Sequence, residues 1–149
     1  MTIYFATDHA GYELKNELVR FVRDELGHAV EDCGAHTYDA SDDYPLFISL
    51  AAVKVSADPE NHRAVILGGS GQGEAMVANR YRGVRAAVYY GGEKAIIELS
   101  REHNDANILA LGARFIDAKT AKDAVGLWLG TPFSNEERHK RRVRLIDSP

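Results

Sequence analysis

Three apolar runs, Arg63 to Leu67, Val84 to Tyr90 and Asn107 to Leu111, are each followed by residues with helical periodicity. A strand covered on both faces has no polar side to display, so it reads as a continuous apolar run rather than an alternation. Residues 2 to 7 form a further β-prone run. Leu14, Leu18, Phe21, Val22 and Leu26 then recur at helical spacing until Gly27 closes the segment. A short strand is predicted at Ala29 to Cys33. After a polar loop, Pro45 stands in the first turn of a helix over Leu46 to Ala57, which Asp58-Pro59-Glu60-Asn61 stops. Helices are predicted at 74–81, 92–102, 117–129 and 135–146. Strands alternating with helices of this length predict an α/β fold, a parallel sheet with helices on both faces, in one domain spanning 1–149. Ligands of such sheets bind outside the carboxyl ends of the strands.

Composition removes several classes of function. At 149 residues, 45% of them hydrophobic, the chain can bury a core without a disulfide or structural metal. Its net charge of −4 argues against a general nucleic-acid or anionic-membrane binder. No apolar run approaches the roughly 20 residues of a membrane span. The single cysteine, Cys33, cannot close an internal disulfide, and Met1 to His9 lacks a basic leader with a long apolar core, so a cytoplasmic location is expected. Five of the 18 cations, Arg138, Lys140, Arg141, Arg142 and Arg144, fall in the last dozen residues, which allows a local anion site in an acidic chain.

The expected strand ends are Thr7-Asp8-His9, the loop from Gly34 to Tyr44, Gly68 to Glu74, the segment after Tyr90, and Gly112-Ala113-Arg114. Gly68-Gly69-Ser70-Gly71-Gln72-Gly73 follows a strand and opens a helix, so its backbone N–H groups can converge on an anion. It is not a dinucleotide fingerprint, because counting from Gly69 the sixth position is Glu74. It is not a P-loop either: a glutamate stands where the lysine belongs. Gln72 occupies the last glycine position of a nucleophile elbow, so Ser70 is not placed as an acyl-enzyme nucleophile. What fits is a loop that stabilises a transient oxyanion, followed by a carboxylate, Glu74, able to remove a carbon-bound proton. A tight turn with a first-turn glutamate is the competing structural reading.

Asp8-His9 would project an acid and an imidazole into the same crevice, or serve the fold alone. His103-Asn104, just before the last strand, could be functional or a polar helix terminus. Arg138 and Arg142, four apart, share a helix face suited to clamping a phosphate, or belong to a solvated basic face. The six histidines show no metal-ligand spacing such as H-x-x-x-H.

Taken together, Asp8-His9-Ala10-Gly11, Asp43-Tyr44-Pro45, the Gly68–Glu74 loop, Ala78-Asn79-Arg80, Gly83-Val84-Arg85-Ala86, His103 to Asn107, Gly112-Ala113-Arg114 and Arg138-His139 with Arg141-Arg142 resemble the ribose-5-phosphate isomerase B family, relatives of the galactose-6-phosphate isomerase subunits. The resemblance runs from end to end. It implies a Rossmann-like three-layer α/β/α sandwich with five parallel strands. It also implies a homodimer, or a dimer of dimers, with sites at the subunit interface, where the C-terminal helix would lie. The implied reaction is aldose–ketose isomerisation of a sugar phosphate without metal or cofactor. Many members carry a cysteine base at the position of Gly68; a second branch uses a glutamate after the loop, which Glu74 matches.

The implied roles are Glu74 as the base at C2, His103 with Asp8 for ring opening, and Ser70 with the amides of Gly69, Gly71 and Gly73 around the enediolate. Tyr44 and Asn104 would hold the sugar chain, and Arg114, Arg138 and Arg142, with His9 and His139, the phosphate. The Arg contacts could come from either subunit. A four- or six-carbon sugar phosphate is an alternative substrate, and a non-catalytic anion-binding module an alternative function.

Overall fold

The apolar runs assemble as one five-stranded sheet in the computed structural model, which describes residues 1–148. The strands are β1 (Thr2–Thr7), β2 (Ala29–Asp32), β3 (His62–Gly68), β4 (Ala86–Tyr89) and β5 (Ile108–Gly112). All neighbours are parallel, in the order β2-β1-β3-β5-β4. The helices are α1 (Tyr12–Arg20, continuing through a widened turn at Phe21–Glu25), α2 (Tyr44–Ala57), α3 (Gln72–Ala78), α4 (Ala95–Glu102), α5 (Ala118–Gly130) and α6 (Glu137–Asp147).

Side chains alternate across each strand and build two cores. Ile3, Phe5, Val65, Leu67, Leu109 and Leu111 face α1, α4 and α5, around Leu18, Val125 and Trp128. Ala6, Ala64, Ile66 and Ala110 face α2 and α3, where Ala51, Ala52, Ala75 and Ala78 keep the helices close to the sheet. The three-layer α/β/α expectation holds.

Several boundaries differ from the sequence expectation. The run Val84 to Tyr90 yields only a four-residue strand, and its half-buried Ala86, Ala87 and Val88 mark β4 as an edge rather than a strand covered on all sides. The chain returns from β4 to insert β5 between β3 and β4, an order no local pattern encodes. Helix α4 starts three residues later than expected because Gly91 and Gly92 adopt φ of 109° and 96°, outside the helical region. Helix α3 ends at Ala78, and the Asn79 side chain then brackets the start of β4, accepting from the Ala86 N–H at 2.8 Å and donating to its carbonyl at 3.1 Å. Among the described residues no helix is long and apolar enough to cross a membrane.

Candidate active site

The β3–α3 loop is shaped by close approach. Gly71, at φ 77°, turns the chain beneath the end of β5, where a Cβ would lie 3.0 Å from the Leu111 carbonyl carbon. Gly112 passes just as close to the Ser70 backbone: a Cβ there would stand 2.8 Å from the Ser70 carbonyl oxygen. Two further hydrogen bonds, Ala113 N–H to Gly68 O (2.8 Å) and Arg114 N–H to Gly69 O (3.1 Å), lace the β5–α5 loop to the glycine loop. Arg114 thereby lies over Gly69, with Nη1 3.2 Å from where a Cβ would be, and the Tyr44 hydroxyl covers Gly73 at 2.7 Å on the same measure.

Glu74 is buried, 4% exposed, in the first turn of α3. Its carboxylate folds back against the Cα of Gly68, so that any side chain at Gly68 would overlap it. Burial pushes its pKa up from the ordinary carboxylate value, and the Asp8 charge adds to the rise, against a lowering from its own backbone N–H. Asp8 is buried at the end of β1, where its Oδ1 accepts from the Ala10 N–H at 2.9 Å. These contacts bring Asp8, His9, Tyr44, Gly69, Ser70, Gly71, Gly73, Glu74 and Arg114 to the carboxyl end of the sheet.

His103, Asn104, Arg138, His139 and Arg142 lie elsewhere. Helix α4 runs back against the strands, so His103 and Asn104, between α4 and β5, emerge at the amino end of the sheet. That end is separated from the glycine loop by the length of β3, seven residues or roughly 20 Å. The His103 and His139 rings pack 4.3 Å apart at 36°. His139 is buried, hydrogen-bonded to Ser134 Oγ at 2.7 Å, and its pKa is lowered by burial and then by the neighbouring His103. Helix α6 is pinned at its far end by Arg85, whose guanidinium donates to Asp147 at 2.8 Å and to Asp105 at 3.1 Å. On the same helix Arg138 and Arg142 are exposed, Arg138 within 2.8 Å of Glu136. A cavity of about 880 Å³ also lies at this end, beside β4, lined by Arg80, Arg82, Asn104, Ile146 and Asp147 among others. One chain therefore holds the two groups of expected site residues at opposite ends of its sheet.

Spacing alone missed Asp42. Its carboxylate accepts from the His9 backbone N–H at 3.1 Å and sits 2.6 Å from His9 Nδ1, although 33 residues separate the two in sequence. Asp8, His9 and Asp42 each offer one ligand atom within 4.8 Å of the others, a set that could hold a metal ion and that no histidine repeat signals. At 2.6 Å the Asp42 carboxylate and His9 Nδ1 are within hydrogen-bond distance of each other.

The sequence profile of the Ribose/Galactose Isomerase family matches residues 3–146. This chain belongs to that family. Among the family's members, ribose-5-phosphate isomerase B of Mycobacterium tuberculosis is 40% identical over 146 residues, 98% of this chain and 88% of that protein. The Escherichia coli ribose-5-phosphate isomerase B is 38% identical over 144 residues, 97% and 93% of the two chains. The solved structure of the Mycoplasma genitalium ribose-5-phosphate isomerase B, with bound ribulose-5-phosphate, superposes with a TM-score of 0.92 at 33% identity, covering 98% of this chain and 93% of the other.

Proposed function

We propose that this family member interconverts ribose 5-phosphate and ribulose 5-phosphate through a cis-enediolate, with Glu74 as the base. The observation that carries this reading is the placement of the Glu74 carboxylate on Gly68. The sequence resemblance places a cysteine base at position 68 in many relatives; here the glutamate brings its oxygens to the same spot from six residues downstream. Burial raises its pKa from the ordinary carboxylate value, the direction that suits a base for a carbon acid. A module that merely bound anions would gain nothing from a buried carboxylate beside its amide-rich loop.

In the aldose-to-ketose direction Glu74 takes the C2 proton, and the electron pair moves into the C1–C2 bond as the carbonyl oxygen becomes an enediolate oxygen. Backbone amides of Gly69 to Gly73 and the Ser70 hydroxyl stabilise that charge. The C2 hydroxyl proton then passes to the oxygen on C1, Glu74 returns its proton to C1, and C2 becomes the carbonyl. Asp8 assists ring opening, and Tyr44 holds the sugar chain. Arg114 and His9 grip the phosphate, whose binding energy orients the reacting carbons.

His103, Asn104, Arg138 and Arg142 then come from a second copy, His139 acting as the buried support of His103. A two-fold axis beside the β4 edge inverts the second molecule and lays its amino end on the first molecule's carboxyl end, completing two equal sites. Exposed Met76 on α3, Ile96 and Leu99 on α4, and Leu145 and Ile146 on α6 give this face an apolar surface to bury.

The test is wash-in of solvent deuterium at C2 of ribose 5-phosphate, alongside kcat/KM for four-, five- and six-carbon sugar phosphates. Exchange together with the highest kcat/KM for ribose 5-phosphate is expected. Binding without exchange removes the enzyme reading, and a higher value for another sugar reassigns the substrate.

A further inference from the structure

We infer that Asp42 is a positioning residue for His9: its buried carboxylate presets the imidazole with the proton on Nδ1, leaving Nε2 for the substrate's phosphate and keeping the ring cationic where that phosphate docks. The inference rests on the phosphate-binding role proposed above for His9.

The geometry is specific. Asp42 Oδ1 takes both the backbone N–H and Nδ1 of His9, a two-point grip that fixes ring and main chain together. The Asp42 side chain is 7% exposed, and its Oδ2 is buried with no hydrogen-bond partner among the described residues. A carboxylate held that far from water is costly unless a positive charge compensates it, and the group in contact that can carry one is His9. His9 itself is 23% exposed in its side chain, open to a cavity of about 590 Å³.

The groups around the ring favour the charged form. Asp8 Oδ2 stands 3.9 Å from Nδ1. Asp39 is close enough for its charge and that of His9 to act on each other, and the Tyr38 ring meets the imidazole edge-on at 6.2 Å. From α1, Glu13, Glu17 and Arg20 line the same cavity. Arg114 opposes the imidazolium from the β5–α5 loop. The hydrogen bond to Asp42 is the largest influence and raises the His9 pKa, outweighing the lowering by burial and by Arg114. The stabilisation this gives is present below the ordinary histidine value and is lost as pH rises through the raised one. Phosphate affinity should fall over the same range. An Asp42–His9⁺–Arg114 arrangement thus sets two cations beside one substrate anion and partly relieves their mutual repulsion with a carboxylate behind the ring.

The experiment combines ¹⁵N NMR titration of the histidine rings in native protein with the variants Asp42→Asn, His9→Gln and their combination. Binding of inorganic phosphate and the kinetics with ribose 5-phosphate are measured in parallel. In native protein the neutral His9 should carry its proton on Nδ1, and its midpoint should lie above the ordinary value. Asp42→Asn keeps an oxygen acceptor but removes the charge, so the midpoint should drop. KM and the Kd for inorganic phosphate should rise about fivefold to tenfold near neutral pH, with kcat little changed. Below the midpoint measured for Asp42→Asn, native and Asp42→Asn proteins should bind phosphate alike, because His9 is then charged in both.

In the His9→Gln background, Asp42→Asn should add almost nothing. A neutral His9 with its proton on Nε2, an unmoved midpoint in Asp42→Asn, or additive effects of the two substitutions would each overturn the inference. The tautomer is read on the native protein and needs no variant to fold. Should the native protein isomerise no sugar phosphate, the proposed function fails, whereas the titration and the inorganic-phosphate binding still decide what Asp42 does.

Discussion

The two ends of the sheet are built on different terms. At the carboxyl end, Glu74 and Asp8 are buried and the glycine loop is hydrogen-bonded to the β5–α5 loop. At the amino end, Arg138 and Arg142 stand exposed on a helix held by one buried histidine and one arginine–aspartate pair. The buried end can shift the pKa of an acid; the exposed end can supply charge and reach. On the function proposed above, the carbon-bound proton is handled by Glu74 at the first end and the exposed arginines at the second add to the grip on the dianion, so loss of Glu74 should fall on kcat and loss of those arginines on binding.

The largest effect expected from that contrast is at Glu74. Glu74→Gln should lower kcat at least about a hundredfold with little change in KM, measured by steady-state kinetics on protein whose circular dichroism is native. A change confined to KM would make Glu74 a binding residue. Gly68→Ala sharpens the same point without touching the acid: the added methyl must push the Glu74 carboxylate aside, so kcat should fall although Glu74 remains. Because both changes disable one group, the double variant should be scarcely worse than Glu74→Gln alone. The pH profile of kcat should lose activity on the acid side at a pH above the ordinary carboxylate range, since Glu74 must be deprotonated to act and burial raises its pKa.

The amino end is next. Arg138→Ala or Arg142→Ala should weaken binding of a phosphorylated sugar by about 1.5–3 kcal/mol, a tenfold to hundredfold rise in Kd. Arg→Lys should recover part of it, and the unphosphorylated sugar should be unaffected. Mixing Glu74→Gln and Arg142→Ala subunits, assayed at substrate concentrations too low for either variant alone to turn over appreciably, breaks or confirms the division between chains. Randomly re-formed dimers would hold one intact site in each mixed pair, returning about a quarter of native activity. No recovery would mean that one chain completes its own site.

Cys33 should give the smallest effect. Its thiol is buried and pushed up to about 11, chiefly by burial, so it is not a nucleophile at neutral pH. Cys33→Ser should keep most of the turnover. Loss of turnover with the fold retained would return the search for the base to this residue.

How far the sequence carried depended on whether a feature was local. Apolar runs, helical periodicity and the stops at Gly27 and Asp58-Pro59 determined the α/β class and the positions of all five strands, because each is a property of a few consecutive residues. The juxtaposition of Gly68 to Glu74, a strand end, a loop and a helix start, was likewise legible. Only tertiary structure decided that β5 lies inside β4, since strand order is a matter of crossovers longer than any local pattern. The same holds for Asp42, brought to His9 across 33 residues by the return of the chain from β2 to α2. It also holds for the division of the site. His103 and Glu74 look like parts of one crevice when both are placed near strand ends, but a helix that crosses back over a parallel sheet must deliver its last residues to the opposite end. Sequence motifs record which residues are present, while the direction in which each element traverses the fold decides which of them can meet.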